Sequence, residues 1–209
     1  MAAESQTTRP STFIDVWFDP VCPFTWVTSR WLLAVAGERP VEIQWHLMSL
    51  AVLNEGNDLG TDEKQEMADS VVAGRLLAAV ARVHGSDTLG RAYTSLGERV
   101  HRRSAPLNHD VAVAALEECG VDTALAAALD DPRYDADVRR SHDEGQKALG
   151  DAGGSPIISI DGATFFGPVL MSIPRGDEAL ELFDAVTTIA GTESFSQFQR
   201  PHGGHPAVG

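Results

Sequence analysis

The apolar positions change spacing five times along the chain. Thr12 to Phe18 (Thr-Phe-Ile-Asp-Val-Trp-Phe) is dense in β-branched and aromatic residues and predicts a strand. Asp19-Pro20-Val21-Cys22-Pro23 then breaks the run as a sharp turn. From Phe24 to Ala36 the spacing is helical, with Val27, Trp31 and Ala34 on one face and Gly37 as the stop. Pro23 suits the first turn, where its missing N–H leaves no bond unmade. Val41 to Met48 alternates over its first half and predicts a second strand. Two strands joined by such a helix form a βαβ unit, parallel and right-handed.

No strand pattern interrupts the chain between Thr61 and Gly150. Met67, Val71, Val72, Leu76, Ala79, Val80 and Val83 recur at helical spacing up to His84-Gly85. Further helices are predicted over Asp87 to Val100, Asn108 to Cys119, Asp122 to Leu129 and Tyr134 to Leu149. Strand character returns at Pro156 to Ile160, and Asp161-Gly162 signals a hairpin into Ala163 to Phe166. Arg175 to Ile189 closes the pattern as an amphipathic helix.

The order βαβ, helical block, ββα predicts an α/β, thioredoxin-like fold with an all-helical insertion. Residues 12–60 and 151–190 form the discontinuous core, and 61–150 the helical insertion or lid. Residues 1–11 and 191–209 are read as flexible ends. Periodicity alone fits several α/β layouts; the local chemistry selects this one.

Composition narrows the function classes. The 209 residues are 43% hydrophobic and 22% charged, the make-up of a globular protein. Sixteen basic against 30 acidic side chains give a net charge of −14, which repels a polyanion and argues against nucleic acid as partner. No apolar run approaches the ~20 residues that cross a bilayer, so no membrane role is expected. The polar start, Met1 to Pro10, has no apolar signal core, and two cysteines exclude a disulfide scaffold or a cysteine-rich zinc module. A reducing cytoplasm is the expected compartment. His202 and His205 have no metal-site spacing, and no metal is expected.

Cys22 carries the candidate chemistry. A thiol placed just before a helix faces unpaired N–H groups and the positive end of the helix dipole. Those favour thiolate, lower the pKa and make a nucleophile. The alternative is a small buried hydrophobe. Gly154-Ser155-Pro156 precedes a strand, where a proline needs a positional reason. In the proposed topology that reason is a cis peptide facing the thiol; a plain trans turn is the alternative.

Asp15-x-Trp17-Phe18-Asp19-Pro20-x-Cys22-Pro23-x-x-Trp26 and His46-x-Met48-Ser49-Leu50-Ala51-x-Leu53-Asn54-Glu55 resemble the DsbA-like thioredoxin superfamily. Within it the chain is most similar to the actinobacterial mycothiol-dependent nitroreductase and oxidoreductase proteins. Gly97-x-Arg99-x-His101, Arg139-x-Ser141-His142, Gly154-Ser155-Pro156, Phe165 to Leu170 and Ile173-Pro174-Arg175-Gly176 carry the same resemblance, which spans residues 12–190. The family motif is Cys-Pro-x-Cys; here it is Cys22-Pro23-Phe24-Thr25.

The resemblance, with that departure, implies monothiol chemistry. Cys22 attacks a disulfide or electrophile, and a low-molecular-weight thiol, mycothiol or glutathione, resolves the adduct. That thiol is a co-substrate; no tightly bound cofactor is expected. Thr25 would donate its hydroxyl to the thiolate. Pro23, Phe24, Trp26, Asn54, Ser155 and Pro156 would border the substrate, Phe24 and Trp26 by stacking. His101 is either a proton donor or substrate contact, and Arg102 a partner for a substrate carboxylate; a solvated helix end is the alternative for both. Asn54 is a pocket hydrogen-bonder or a turn residue. Cys119, Trp17, Trp31, Trp45, His46 and His142 are read as structural. A homodimer is expected of such lid folds. The other function classes are an enzyme that activates a bound thiol, like the kappa-class glutathione transferases and hydroxychromene-carboxylate isomerases, and a binding protein without catalysis.

Overall fold

The computed structural model describes residues 11–201 and 203–209. The expected leader Met1 to Pro10 and His202 lie outside the described residues. Four strands form one sheet in the order β2-β1-β3-β4. Strand β1 (Thr12–Phe18) runs parallel to β2 (Val41–Leu47), with helix α1 (Pro23–Ala36) between them. Strand β3 (Ile157–Ile160) is antiparallel to β1 and to β4 (Ala163–Phe166). The β3–β4 turn is the predicted Asp161-Gly162, both with positive φ (49° and 92°) as a type I′ turn requires. This is the thioredoxin-like α/β sheet read from the sequence.

Between β2 and β3 the chain is helical. A short α2 (Leu50–Leu53), not foreseen from the pattern, leads to the long α3 (Thr61–Gly97). Gly85 (φ 78°, ψ −174°) breaks α3 where His84-Gly85 predicts a stop. The break presents Ser86 to the edge strand: Trp45 N–H donates to Ser86 Oγ at 2.6 Å, and Ser86 Oγ donates back to Trp45 O at 3.2 Å. Open backbone groups of β2 are thereby covered. A π-helical turn (Glu98–Arg102), α4 (His109–Glu118), 3₁₀ turns at Thr123–Asp130 and Pro132–Tyr134, and α5 (Asp135–Leu149) follow. Helix α6 (Asp177–Ala190) packs beside α1, where Trp31 Nε1–H donates to Ala179 O at 2.9 Å.

Three glycines let the insertion close on the core. A Cβ at Gly97 would lie 2.2 Å from Trp26, one at Gly90 2.4 Å from Trp45, and one at Gly145 2.7 Å from Trp17. Glycine inside a helix costs about 0.5–1 kcal/mol relative to alanine, so each needs a reason. Here each glycine is the flat face on which an indole lies. Trp17, Trp31 and Trp45 are buried, as the sequence reading expects.

The end of the chain departs from the flexible tail expected over 191–209. Residues 191–200 are exposed, but Pro206 is buried, Ala207 N–H donates to Met171 O at 2.8 Å, and Val208 packs against the main core. The apolar Pro206 and Val208 remove surface from water by lying on the body. No helix among the described residues is long and apolar enough to cross a membrane.

Candidate active site

Cys22 ends the turn after β1 as the residue before α1, with Pro23 at the helix start. Its carbonyl accepts from Trp26 N–H at 3.1 Å, the first bond of the helix. The Cys22 side chain is buried, and its thiol donates to Ser155 O at 3.5 Å. The 154–156 loop therefore lies against the sulfur, as the topology argument requires, and the Ser155–Pro156 peptide is cis. Ser155 and Pro156 are both buried. Thr25, one turn into α1, is fully buried, with its Oγ1 2.5 Å from Ser155 Oγ.

The direction of the thiol's pKa shift corrects the sequence reading. A helix start by itself lowers a thiol's pKa, yet burial pushes the Cys22 thiol up. The Thr25 hydroxyl and the backbone N–H groups of Thr25 and Phe24 pull the other way, and the Asp19 carboxylate adds to the rise. In this closed arrangement desolvation outweighs the helix start.

Asp19 is the residue the sequence reading passed over. It is fully buried. Its Oδ1 accepts from Val21 N–H at 2.9 Å; its Oδ2 accepts from Leu50 N–H at 2.7 Å and from Ser70 Oγ–H at 2.5 Å. Its own N–H donates to Ser155 Oγ at 2.9 Å. Burial pushes the carboxyl up against those three donors. Ser70 belongs to α3, so one carboxylate ties the thiol turn, the loop after β2 and the helical insertion together. A carboxylate between Phe18 and Pro20, three residues before a reactive thiol, was the available signal.

His101 stacks on Trp26, with ring centroids 5.3 Å apart, and its Nε2–H donates to Pro20 O at 2.9 Å. A carbonyl only accepts, which fixes the tautomer. Burial pulls its pKa down to about 4, and the nearby Arg30 cation pulls it further in the same sense. The expected proton donor is thus neutral, with its N–H committed to the thiol turn. Arg102 pairs with Glu98 at 2.9 Å, one helical turn back. Trp26 is fully buried rather than open for stacking: the Arg30 guanidinium lies 4.1 Å from its ring and its Nε1–H donates to Val208 O at 3.0 Å. Phe24 is half-buried, as is Pro23.

Asn54 takes the turn role. Its Nδ2 donates to Leu50 O at 2.9 Å, and its Oδ1 accepts from Asn57 Nδ2 at 3.1 Å. His46 pairs with Asp15 at 2.7 Å, and His142 Nδ1 accepts from Ser49 N–H at 3.3 Å, both structural contacts. Cys22 and Cys119 are both free, and burial pushes the half-buried Cys119 thiol up.

A family model described as Rv2466c-like, mycothiol-dependent nitroreductase Rv2466c, matches residues 21–200. The chain belongs to this family. As a member of the Rv2466c-like family it is 36% identical over 196 residues to the uncharacterized protein Rv2286c of Mycobacterium tuberculosis, covering 91% of this chain and 82% of that one. The fold is shared with the probable DsbA oxidoreductase SCO1869 of Streptomyces coelicolor, at TM-score 0.57, 20% identity, and 90% and 94% coverage of the two chains. It is also shared with a 2-hydroxychromene-2-carboxylate isomerase, at TM-score 0.60, 15% identity, and 84% and 95% coverage. The cytosolic disulfide reductase DsbM of Pseudomonas aeruginosa matches at TM-score 0.53 and 18% identity, over 84% of this chain and 98% of that one.

Proposed function

We propose that this protein is a monothiol oxidoreductase in which Cys22 exchanges with disulfides of a low-molecular-weight thiol. One observation carries the reading. Cys22 lies at the start of α1 against the Ser155 carbonyl, and Thr25 presents a hydroxyl where the family motif has its second sulfur. The Cys22 thiolate attacks one sulfur of a disulfide R–S–S–R, forming Cys22–S–S–R and releasing R–S⁻. A second thiolate, R′–S⁻, then attacks the outer sulfur, giving R–S–S–R′ and restoring the Cys22 thiolate. Two electrons stay with the sulfurs throughout, so no separate oxidant is needed. The Thr25 hydroxyl holds the thiolate that leaves in the second step.

The family's dependence on mycothiol supports that thiol as co-substrate, with glutathione as its chemical counterpart. A protein working through a reduced lone thiol fits a reducing compartment, and the cytoplasm is proposed on that ground. The test is exchange between glutathione disulfide and a chromogenic thiol. Cys22→Ser abolishes turnover and Cys119→Ser leaves it unchanged; turnover retained in Cys22→Ser removes the reading.

A second reading rests on the rise of the Cys22 pKa through burial. A buried thiol with a raised pKa suits a site that activates a bound thiol without a covalent link. Saturable thiol binding with no adduct on Cys22 selects this reading over the first.

A further inference from the structure

We infer that residues 203–209 are a displaceable strap across Arg102 and across Trp26, which lies one helical turn along α1 from Cys22, and that an amide-bearing low-molecular-weight thiol takes the strap's place when it binds. The inference rests on the thiol-binding reading above. The strap crosses between two walls of the site. On one side Ala207 N–H donates to Met171 O at 2.8 Å. Met171 belongs to the loop after β4, which is tied to α1 by Thr28 Oγ1–H donating to Pro168 O at 2.8 Å. On the other side Val208 O accepts from the Trp26 indole at 3.0 Å, and Gly209 lies so close to Arg102 that a Cβ there would meet its Nε at 2.5 Å. Trp26 and Arg102 are two residues that the sequence assigns to the substrate. His101 connects Trp26 to the thiol turn, stacking on the indole on one side and donating to Pro20 O on the other.

The contacts of the strap define what replaces it. One wall offers a carbonyl that accepts an amide N–H; the other offers an indole N–H that donates to an amide carbonyl. A thiol whose cysteinyl unit carries secondary amides presents both groups and can make both bonds at once. A thiol without polar groups can make neither. The strap's hold is neutral and local: two uncharged hydrogen bonds and the small side chains Pro206 and Val208, a set within reach of an ordinary ligand. Its hinge is prepared. Gly203-Gly204 opens it, Gly204 has φ 74°, and residues 191–200 are exposed, so the strap can leave without unpacking the sheet. The family match ends at residue 200, which makes the strap a feature of this chain beyond the matched region.

The experiment measures binding of S-methylglutathione, which has the amides but forms no disulfide. Isothermal calorimetry compares the full chain, a variant lacking 203–209, and Gly204→Val. Valine at a positive φ disfavours the hinge while its side chain meets open space, so this second variant loosens the strap without touching the core. The expected result is a Kd at least fivefold lower in both variants. A synthetic peptide of residues 203–209, added to the shortened variant, competes with S-methylglutathione. Equal Kd values in three folded proteins, absence of binding in all three, or a peptide that does not compete overturns the inference. Since this ligand cannot react, failure of covalent exchange at Cys22 leaves the readout standing.

Discussion

The hydroxyls of Thr25 and Ser155 lie 2.5 Å apart although 130 positions separate them in the chain. Their protons have one arrangement that satisfies every group. The Asp19 N–H can only donate, so Ser155 Oγ accepts there and gives its own proton to Thr25. The Thr25 proton is then free for the Cys22 sulfur, in agreement with the downward pull of that hydroxyl on the thiol. The reverse arrangement leaves the buried Ser155 hydroxyl beside Asp19 with its proton unused and the sulfur with its backbone donors alone.

Thr25→Val is therefore expected to raise the Cys22 pKa and to slow its alkylation at pH 7 about tenfold, the equivalent of one pKa unit. Thr25→Ser keeps the hydroxyl and the rate. The pH profile of iodoacetamide labelling reads both. Superimposable profiles for Thr25→Val and the parent would remove Thr25 from the site.

Asp19→Asn should separate reactivity from stability. The Asp19 carboxylate pushes the thiol up, so removing its charge lowers the Cys22 pKa and speeds labelling near neutral pH. The amide has one accepting oxygen instead of two, so either Val21 N–H or the pair Leu50 N–H and Ser70 Oγ–H loses its acceptor, and the loss is on the order of 2–4 kcal/mol in urea unfolding. Slower labelling in a folded variant would mean that Asp19 supports the thiolate instead of opposing it.

The glycine seats of the tryptophans give a stability prediction. Gly97→Ala places a methyl 2.2 Å from Trp26 and should destabilise by about 3 kcal/mol. Gly191→Ala, at φ −76° with its nearest atom 3.6 Å away, serves as the control and should change stability by less than about 0.5 kcal/mol. Thermal melts compare the two. A Gly97→Ala melt matching the control would show that the insertion moves freely over α1.

The strands, α1, α6 and the Gly85 break were legible because each rests on a local pattern: β-branched runs, helical spacing, a glycine at positive φ. Cys22 and the 154–156 loop were legible because two local signals meet only in one topology. Asp19 was not, since its meaning lies in Leu50, Ser70 and Ser155, three residues from three distant segments. The direction of the Cys22 pKa was missed for the same reason. The helix start is local, while the burial that outweighs it comes from the whole fold. The docking of Pro206 and Val208 was hidden by a glycine-rich context that reads as loose chain.

His101 gives a pH dependence with a defined sign. Its folded pKa, about 4, lies below the ordinary 6.5. As pH falls the unfolded chain takes up the proton first, so stability is full above 6.5 and is lost progressively down to about 4. The loss is on the order of 3 kcal/mol, from 1.36 kcal/mol per pKa unit. His101→Gln keeps a donor for Pro20 O and removes the titration. Urea midpoints between pH 7 and 4 should fall more in the parent than in the variant, the carboxylates being common to both. Parallel curves would show that His101 takes its proton in the folded state.

The most direct measurement is the intact mass of the protein after incubation with mycothiol disulfide or glutathione disulfide at pH 7, beside Cys22→Ser. The account predicts one adduct per chain, located on Cys22, absent from the variant and removed by excess free thiol. A folded protein whose Cys22 can be alkylated yet gains no disulfide-linked mass from either compound would contradict monothiol exchange.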